Sequence, residues 1–176
     1  MKNLFSMLSC AAMAAGGLSI AAPAAAQSTL ETVKTRGHLN CQVGPPRAGF
    51  YQLLESGDWE GSDVAVCRAM AAAIFGDPNK VEFQSVSASV RFTSLANGES
   101  DVLSRTATWT VGRDAALGID FTAPVFHDGQ GFLVRKDSGI KSAFDLTGAT
   151  VCVITGHTSE ATLQDFSRAT NLDIRA

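Results

Sequence analysis

An alternation of short apolar strands with amphipathic helical segments constrains this chain more than any other feature. His38 to Val43 reads as a strand following the turn at Arg36-Gly37, and Asp63 is placed to cap a helix with Val66, Met70, Ala73 and Ile74 on one face. Gly76 and Pro78 close that helix in the usual order. Val81-Glu82-Phe83 is the next strand, a short helix carrying Phe92 and Leu95 stops at Gly98, and Asp101-Val102-Leu103 and Ile119-Asp120-Phe121 read as further strands. Gly131 to Arg135 and Thr150 to Ile154 are two more. Helices are expected at Ser142–Leu146 and Ser159–Arg168, the latter with Leu163 and Phe166 inward. This order predicts an α/β fold with a mostly parallel sheet. Ligands of such sheets bind in the loops beyond the carboxyl ends of the strands.

The first 26 residues have a different character. Lys2 supplies a positive start, Leu4 to Ile20 carry no charge, and Ala24-Ala25-Ala26 offers small side chains at a cleavage site before Gln27. These are the parts of a secretory signal peptide, and Gly16-Gly17 with Pro23 suits a removable leader better than a spanning helix. About 150 residues remain, enough for a domain with its own core. With 17 acidic against 14 basic residues and no basic run, nucleic acid and anionic membrane are poor candidates as partners.

Cys41, Cys67 and Cys152 follow the leader at spacings that match no zinc or redox motif. In an oxidising compartment one disulfide and one free thiol are expected. Cys41–Cys67 is the preferred pair, because it would join a strand to the helix covering it.

Three loops carry binding chemistry. Asp101 to Arg113 passes from a strand into hydroxyls, backbone and two arginines, Arg105 and Arg113. An arginine fork matches a carboxylate with two parallel hydrogen bonds. The alternative is a surface ion pair of Arg113 with Asp114, with Trp109 anchoring the loop in the core. Thr155 to Ser159 precedes a helix, where free N–H groups and the helix dipole favour an anion. No Gly-x-x-x-x-Gly-Lys pattern makes it a phosphate loop. Gly44 to Trp59 is stiffened by Pro45-Pro46, and its Phe50 and Tyr51 are candidates to lie over an apolar part of a ligand. His38, His127 and His157 are dispersed, no nucleophile elbow occurs, and nothing calls for a metal or cofactor.

Several blocks in order resemble one family: Thr29 to Lys34 with Arg36-Gly37, Asp63-Val64 with Cys67-Arg68-Ala69, Ile74 to Pro78, Asp101 to Arg105, Thr108-Trp109-Thr110, Arg113-Asp114 and Asp128 to Phe132. The chain resembles the first half of a periplasmic amino-acid-binding protein of an ABC importer, of the general L-amino-acid or glutamate/glutamine/aspartate/asparagine type. The resemblance implies a type II binding-protein fold with a signal peptide at 1–26, lobe one at 27–128, a hinge strand at 129–133 and a partial lobe two at 134–176. It implies that Arg113 grips an α-carboxylate with Thr108 and the backbone at Thr106. Thr158, beside His157, closes from lobe two, Ser104 accepts from the α-ammonium, and Arg105 faces an acidic or amide side chain. Partners would be a polar or acidic L-amino acid and the membrane permease, with the carrier itself a periplasmic monomer. Ser62, Val90, His157 and Gly44 to Arg47 differ from the family's usual residues, which implies an altered ligand spectrum. Because family members are about twice as long, the second lobe is expected to be incomplete, without its ammonium-pairing carboxylate, the returning hinge strand and the final helices. A non-binding fragment, or an arogenate- or prephenate-dehydratase-like enzyme on the same scaffold, are the alternatives.

Overall fold

In the computed structural model, which describes residues 28–176, eleven elements follow in chain order. They are α1 (Thr29–Arg36), β1 (Leu39–Val43), β2 (Gln52–Leu53), β3 (Trp59–Glu60), α2 (Ser62–Phe75) and β4 (Val81–Ser85). There follow α3 (Arg91–Ala96), β5 (Val102–Leu103), α4 (Val111–Ala116), a 3₁₀ turn at Ala143–Leu146, and α5 (Thr158–Thr170). The leader read at residues 1–26 lies outside the described residues.

The main sheet is parallel, in the order β4-β1-β5. Leu39 to Val43 of β1 align with Val81 to Ser85 of β4, while Cys41 and Gln42 align with Val102 and Leu103 of β5. As the central strand, β1 buries Leu39, Cys41, Gln42 and Val43, on both of its faces. Buried Gln42 donates to Ser100 Oγ at 3.4 Å, and Ser100 Oγ donates to Gln84 Oε1 at 2.7 Å. At the amino end of β1, Asp101 accepts from the Asn40 N–H at 2.7 Å and pairs with Arg36 of α1. The loop after β1 forms a small antiparallel ribbon, β2 with β3.

Helix α2 covers the sheet with Val64, Cys67 and Ala71. This corrects the expected face: Ala73 is exposed, and Val66, Met70 and Ile74 are only partly buried. The physical reason is the Cys41–Cys67 disulfide, with a Cα–Cα distance of 6.2 Å, which turns Cys67 toward β1. Asp63 does not cap the helix either. The N-cap is Gly61, and Asp63 is buried in the first turn. Gly61 has φ of 125°, and a side chain there would place a Cβ 2.3 Å from the Phe50 carbonyl oxygen, so only glycine fits.

A second apolar cluster, separate from that around Cys41, Val43, Tyr51, Val64 and Cys67, gathers Leu146, Leu163 and Ile174 with Phe132 and Phe166 at its edge. The strands expected at 119–121, 131–135 and 150–154 are not formed as ladders. In that part of the chain pairing is confined to one parallel bridge, Thr150 with Arg175. A strand exists only by pairing, and the other extended segments have no neighbouring strand among the described residues.

Closing a loop of sequence separation 26, the disulfide contributes about 3 kcal/mol through the unfolded chain. Alkylation without reductant is expected to label exposed Cys152 and to spare Cys41 and Cys67. Reduction should lower the melting temperature, and full labelling of all three thiols before reduction would contradict the pairing.

Candidate functional site

The carboxyl ends of the three parallel strands release the loops that build the site. Beyond β4, Val86 N–H still bonds to the Val43 carbonyl at 3.0 Å, and residues 87–90 then lead into α3. Beyond β5, Ser104 N–H bonds to the Gln42 carbonyl at 3.0 Å, and the chain runs through Thr106 and Thr108 to α4. Thr110 caps α4 by accepting from the Arg113 N–H at 3.2 Å, which sets Arg113 on the first turn, facing back along the loop.

Arg113 donates from Nη1 to the Thr108 carbonyl at 2.7 Å and from Nη2 to the Gly156 carbonyl at 3.1 Å. Arg91, only 1% exposed, donates to the Ala88 carbonyl at 2.6 Å and to the same Gly156 carbonyl at 3.0 Å. Both guanidiniums lie over the Phe92 ring, at 4.5 Å for Arg91 and 4.9 Å for Arg113. That ring's negative faces offset part of their mutual repulsion. Gly156 belongs to the turn before α5 and packs against residues 88 and 89: a Cβ there would lie 3.3 Å from the Ala88 carbonyl oxygen. Alongside, the hydroxyls of Thr108 and Thr158 sit 3.1 Å apart. The first residue of α5 thus meets the loop after β5, and the amino end of that helix, whose N-cap His157 makes no side-chain cap, adjoins the arginines.

The structure therefore brings Arg113, Thr108, Thr158 and His157 to one junction. Arg105 is buried and donates to the Val86 carbonyl. Ser104 is also buried, its hydroxyl donating to the Asp63 carbonyl at 2.9 Å. The Thr106 hydroxyl is 3.0 Å from that of Tyr51. Tyr51 is a core residue, 2% exposed. Phe50 packs edge-to-face on Phe126, with centroids 5.4 Å apart. The plainer expectation for the Arg113 loop is overturned, because Arg113 bonds to carbonyls and Trp109, half-exposed, stacks on Phe121 at 5.5 Å. Sequence reasoning missed Arg91. Its one signal is a cation in the first position of a helix, where the helix dipole disfavours it.

The match to known proteins follows this geometry. Residues 42–172 match the model of bacterial extracellular solute-binding proteins, family 3. The chain belongs to this family. It is 46% identical over 172 residues to the general L-amino acid-binding periplasmic protein AapJ of Rhizobium johnstonii, covering 98% of this chain and 50% of that protein. It is 49% identical over 154 residues to the glutamate/glutamine/aspartate/asparagine-binding protein BztA of Rhodobacter capsulatus, covering 88% of this chain and 46% of that one. Among solved structures, an ABC transporter periplasmic binding protein from Brucella ovis with glutathione bound superposes with a TM-score of 0.80 at 46% identity. That match covers 85% of this chain and 47% of the other. The chain thus spans about half the length of the curated relatives it matches, and its fold is the type II periplasmic binding-protein arrangement.

The electrostatics of this family member's junction are dominated by its arginines. Burial first, then Arg113 and Arg105, pull Arg91 down to about 10, with Tyr51 opposing. Burial likewise lowers Arg105 and Arg113. His157 is held below its ordinary 6.5 by burial and by Arg91, Arg105, Arg47 and Arg113. A histidine depressed in the folded state leaves the unfolded chain holding more protons as pH falls below 6.5. Stability from this source is full above pH 6.5 and declines on acidification. His157→Gln is expected to flatten the fall in melting temperature between pH 7 and pH 5. An unchanged slope in thermal melts would show that the imidazole does not feel the arginines.

Proposed function

We propose that this chain forms the ligand-gripping part of an extracytoplasmic solute-binding component of an ABC importer, which captures a polar or acidic L-amino acid between two lobes for a membrane permease. The observation that carries this reading is the position of Arg113. Its two terminal nitrogens join the loop after β5 to the turn before α5, so one guanidinium faces both units at the mouth between them. Both bonds go to neutral carbonyls, and a carboxylate is the stronger acceptor for such a fork. The hydroxyls of Thr108 and Thr158 and the amino end of α5 complete an anion's surroundings. In this reading residues 27–128 make lobe one, 129–133 the hinge and 134–176 part of lobe two. The Ser104 carbonyl takes the α-ammonium, and residues 1–26 direct export to the periplasm, where the relative AapJ is placed by its name.

The reading makes the protein a monomeric carrier rather than an enzyme. The relatives' names describe binding proteins, and the carboxylate at the junction, Glu160, accepts from the Gly156 N–H at 3.4 Å. Titration of the chain with L-glutamate, L-glutamine and L-aspartate, followed by NMR, is expected to shift the signals of Thr108, Gly156 and Thr158, with affinity weaker than micromolar for the chain as it stands. Arg113→Ala should weaken that binding by about tenfold or more, the scale of a lost charge-assisted pair. Unaltered affinity in the variant removes the assignment, and turnover of arogenate or prephenate would favour the enzyme instead.

A further inference from the structure

Two arginines converge on one acceptor, where a single one would suffice to grip a ligand. Arg113 is half-buried on the first turn of α4, whereas Arg91 opens α3 and is 1% exposed. Both donate to the Gly156 carbonyl, Arg91 at 3.0 Å and Arg113 at 3.1 Å. A carbonyl oxygen has two lone pairs and can serve both at once. The second bond of each arginine stays near its own helix: Arg113 holds the Thr108 carbonyl and Arg91 the Ala88 carbonyl. Arg91 therefore presents almost no surface to a ligand, and its reach across the junction ends on the turn before α5.

That turn is held from both sides. Residues 88 and 89 approach it so closely that a Cβ at Gly156 would lie 3.3 Å from the Ala88 carbonyl oxygen and 3.4 Å from the Ser89 Cα. From within α5, Glu160 Oε2 accepts the Gly156 N–H at 3.4 Å, and Thr162 Oγ1 donates to the Thr158 carbonyl at 2.9 Å. The Thr108 and Thr158 hydroxyls, 3.1 Å apart, add a further link across the junction. The turn thus keeps one shape and meets the loops after β4 and β5 through the Gly156 carbonyl. The Phe92 ring, which lies under both guanidiniums, keeps the two donors side by side so that one oxygen suits both.

We infer that Arg91 is a positioning residue, which keeps the turn before α5 docked on the loops after β4 and β5 while Arg113 exchanges the Gly156 carbonyl for the ligand's α-carboxylate. The ligand step rests on the binding reading above, and the docking rests on the contacts alone. A carboxylate is a stronger acceptor for a guanidinium than a carbonyl is, so it draws the Arg113 fork away from Gly156. Were Arg113 the sole donor to that oxygen, the exchange would release the turn at the moment of capture. Arg91 is buried and does not take part in the exchange, so the Gly156 carbonyl keeps a donor throughout. Capture then removes one hydrogen bond from the junction and leaves the junction itself in place.

The exposed thiol of Cys152 supplies the probe. It lies four residues before Gly156, hence within about 14 Å along the chain. A nitroxide attached there is expected to broaden the NMR signals of Ser87 and Ser89 in the unsubstituted chain, equally with and without L-glutamate. Arg91→Gln should weaken that broadening in the absence of ligand. It should also weaken L-glutamate binding by about fivefold or more, mainly through faster dissociation. A folded Arg91→Gln chain with a lowered melting temperature but unchanged broadening and dissociation has lost only local stability, and that result overturns the inference. So does broadening that disappears when L-glutamate is added to the unsubstituted chain, because the turn then leaves with Arg113; this arm needs no variant and decides the matter if Arg91→Gln does not fold. Failure to bind L-glutamate at all removes the binding reading and the exchange with it, while the ligand-free comparison still decides whether Arg91 docks the turn.

Discussion

The parallel pairing of β1 with β4 on one side and β5 on the other is the constraint from which the rest of this structure follows. Because the strands run the same way, all three release their loops at one end, and every connection has to return over a face of the sheet. The loops after Val43, Ser85 and Leu103 therefore reach the same region of space, although they lie far apart in the chain. Burial of β1 on both faces demands cover, which α2 supplies, and the bond between Cys41 and Cys67 locks that cover in place. The loops are thereby held on a rigid base, which a site made of loop residues requires.

At that end of the sheet the molecule concentrates unfavourable electrostatics. Arginines are seldom buried without an anion, because removing a guanidinium from water costs several kcal/mol that carbonyl acceptors offset only in part. Here Arg91 and Arg113 share the Gly156 carbonyl and the Phe92 ring. The Gly156 backbone can come so near because the position has no side chain and adopts φ of 81°. A turn from one unit is thus held against cations from the other by two hydrogen bonds to one oxygen. This junction is polar and rich in positive charge.

Much of the scaffold was legible in the sequence, and for identifiable reasons. The strands at 39–43, 81–85 and 102–103 carry their own apolar or β-branched character, and Gly37 and Gly76 stop helices by adopting left-handed conformations. The helical face of α2 was less legible. The run from Val64 to Phe75 is apolar almost all round, so periodicity could not choose among faces, and the cross-link to Cys41 made the choice. The segments 119–121, 131–135 and 150–154 have strand-like composition, but composition cannot supply a pairing partner. Arg113, Thr108 and Thr158 stood out through their loops and through family resemblance, whereas Arg91 was hidden. An arginine beside a phenylalanine in a short helix reads as an ordinary surface residue until its burial is known.

The sequence alone determined the chain's alternating architecture, its family, the ends of its first helices and the chemical types available in each loop. These depend on local φ/ψ preferences, hydrophobic period and ordered blocks of residues, all of which are carried by neighbours along the chain. Only the tertiary structure decided which arginines face one another, that Gly156 serves both Arg91 and Arg113, and that Tyr51 belongs to the core while Arg105 lies buried beside Val86. Those relations join residues up to 65 positions apart. Charge burial and shared acceptors arise from distances in space, and these are settled when the strands pair and their loops converge.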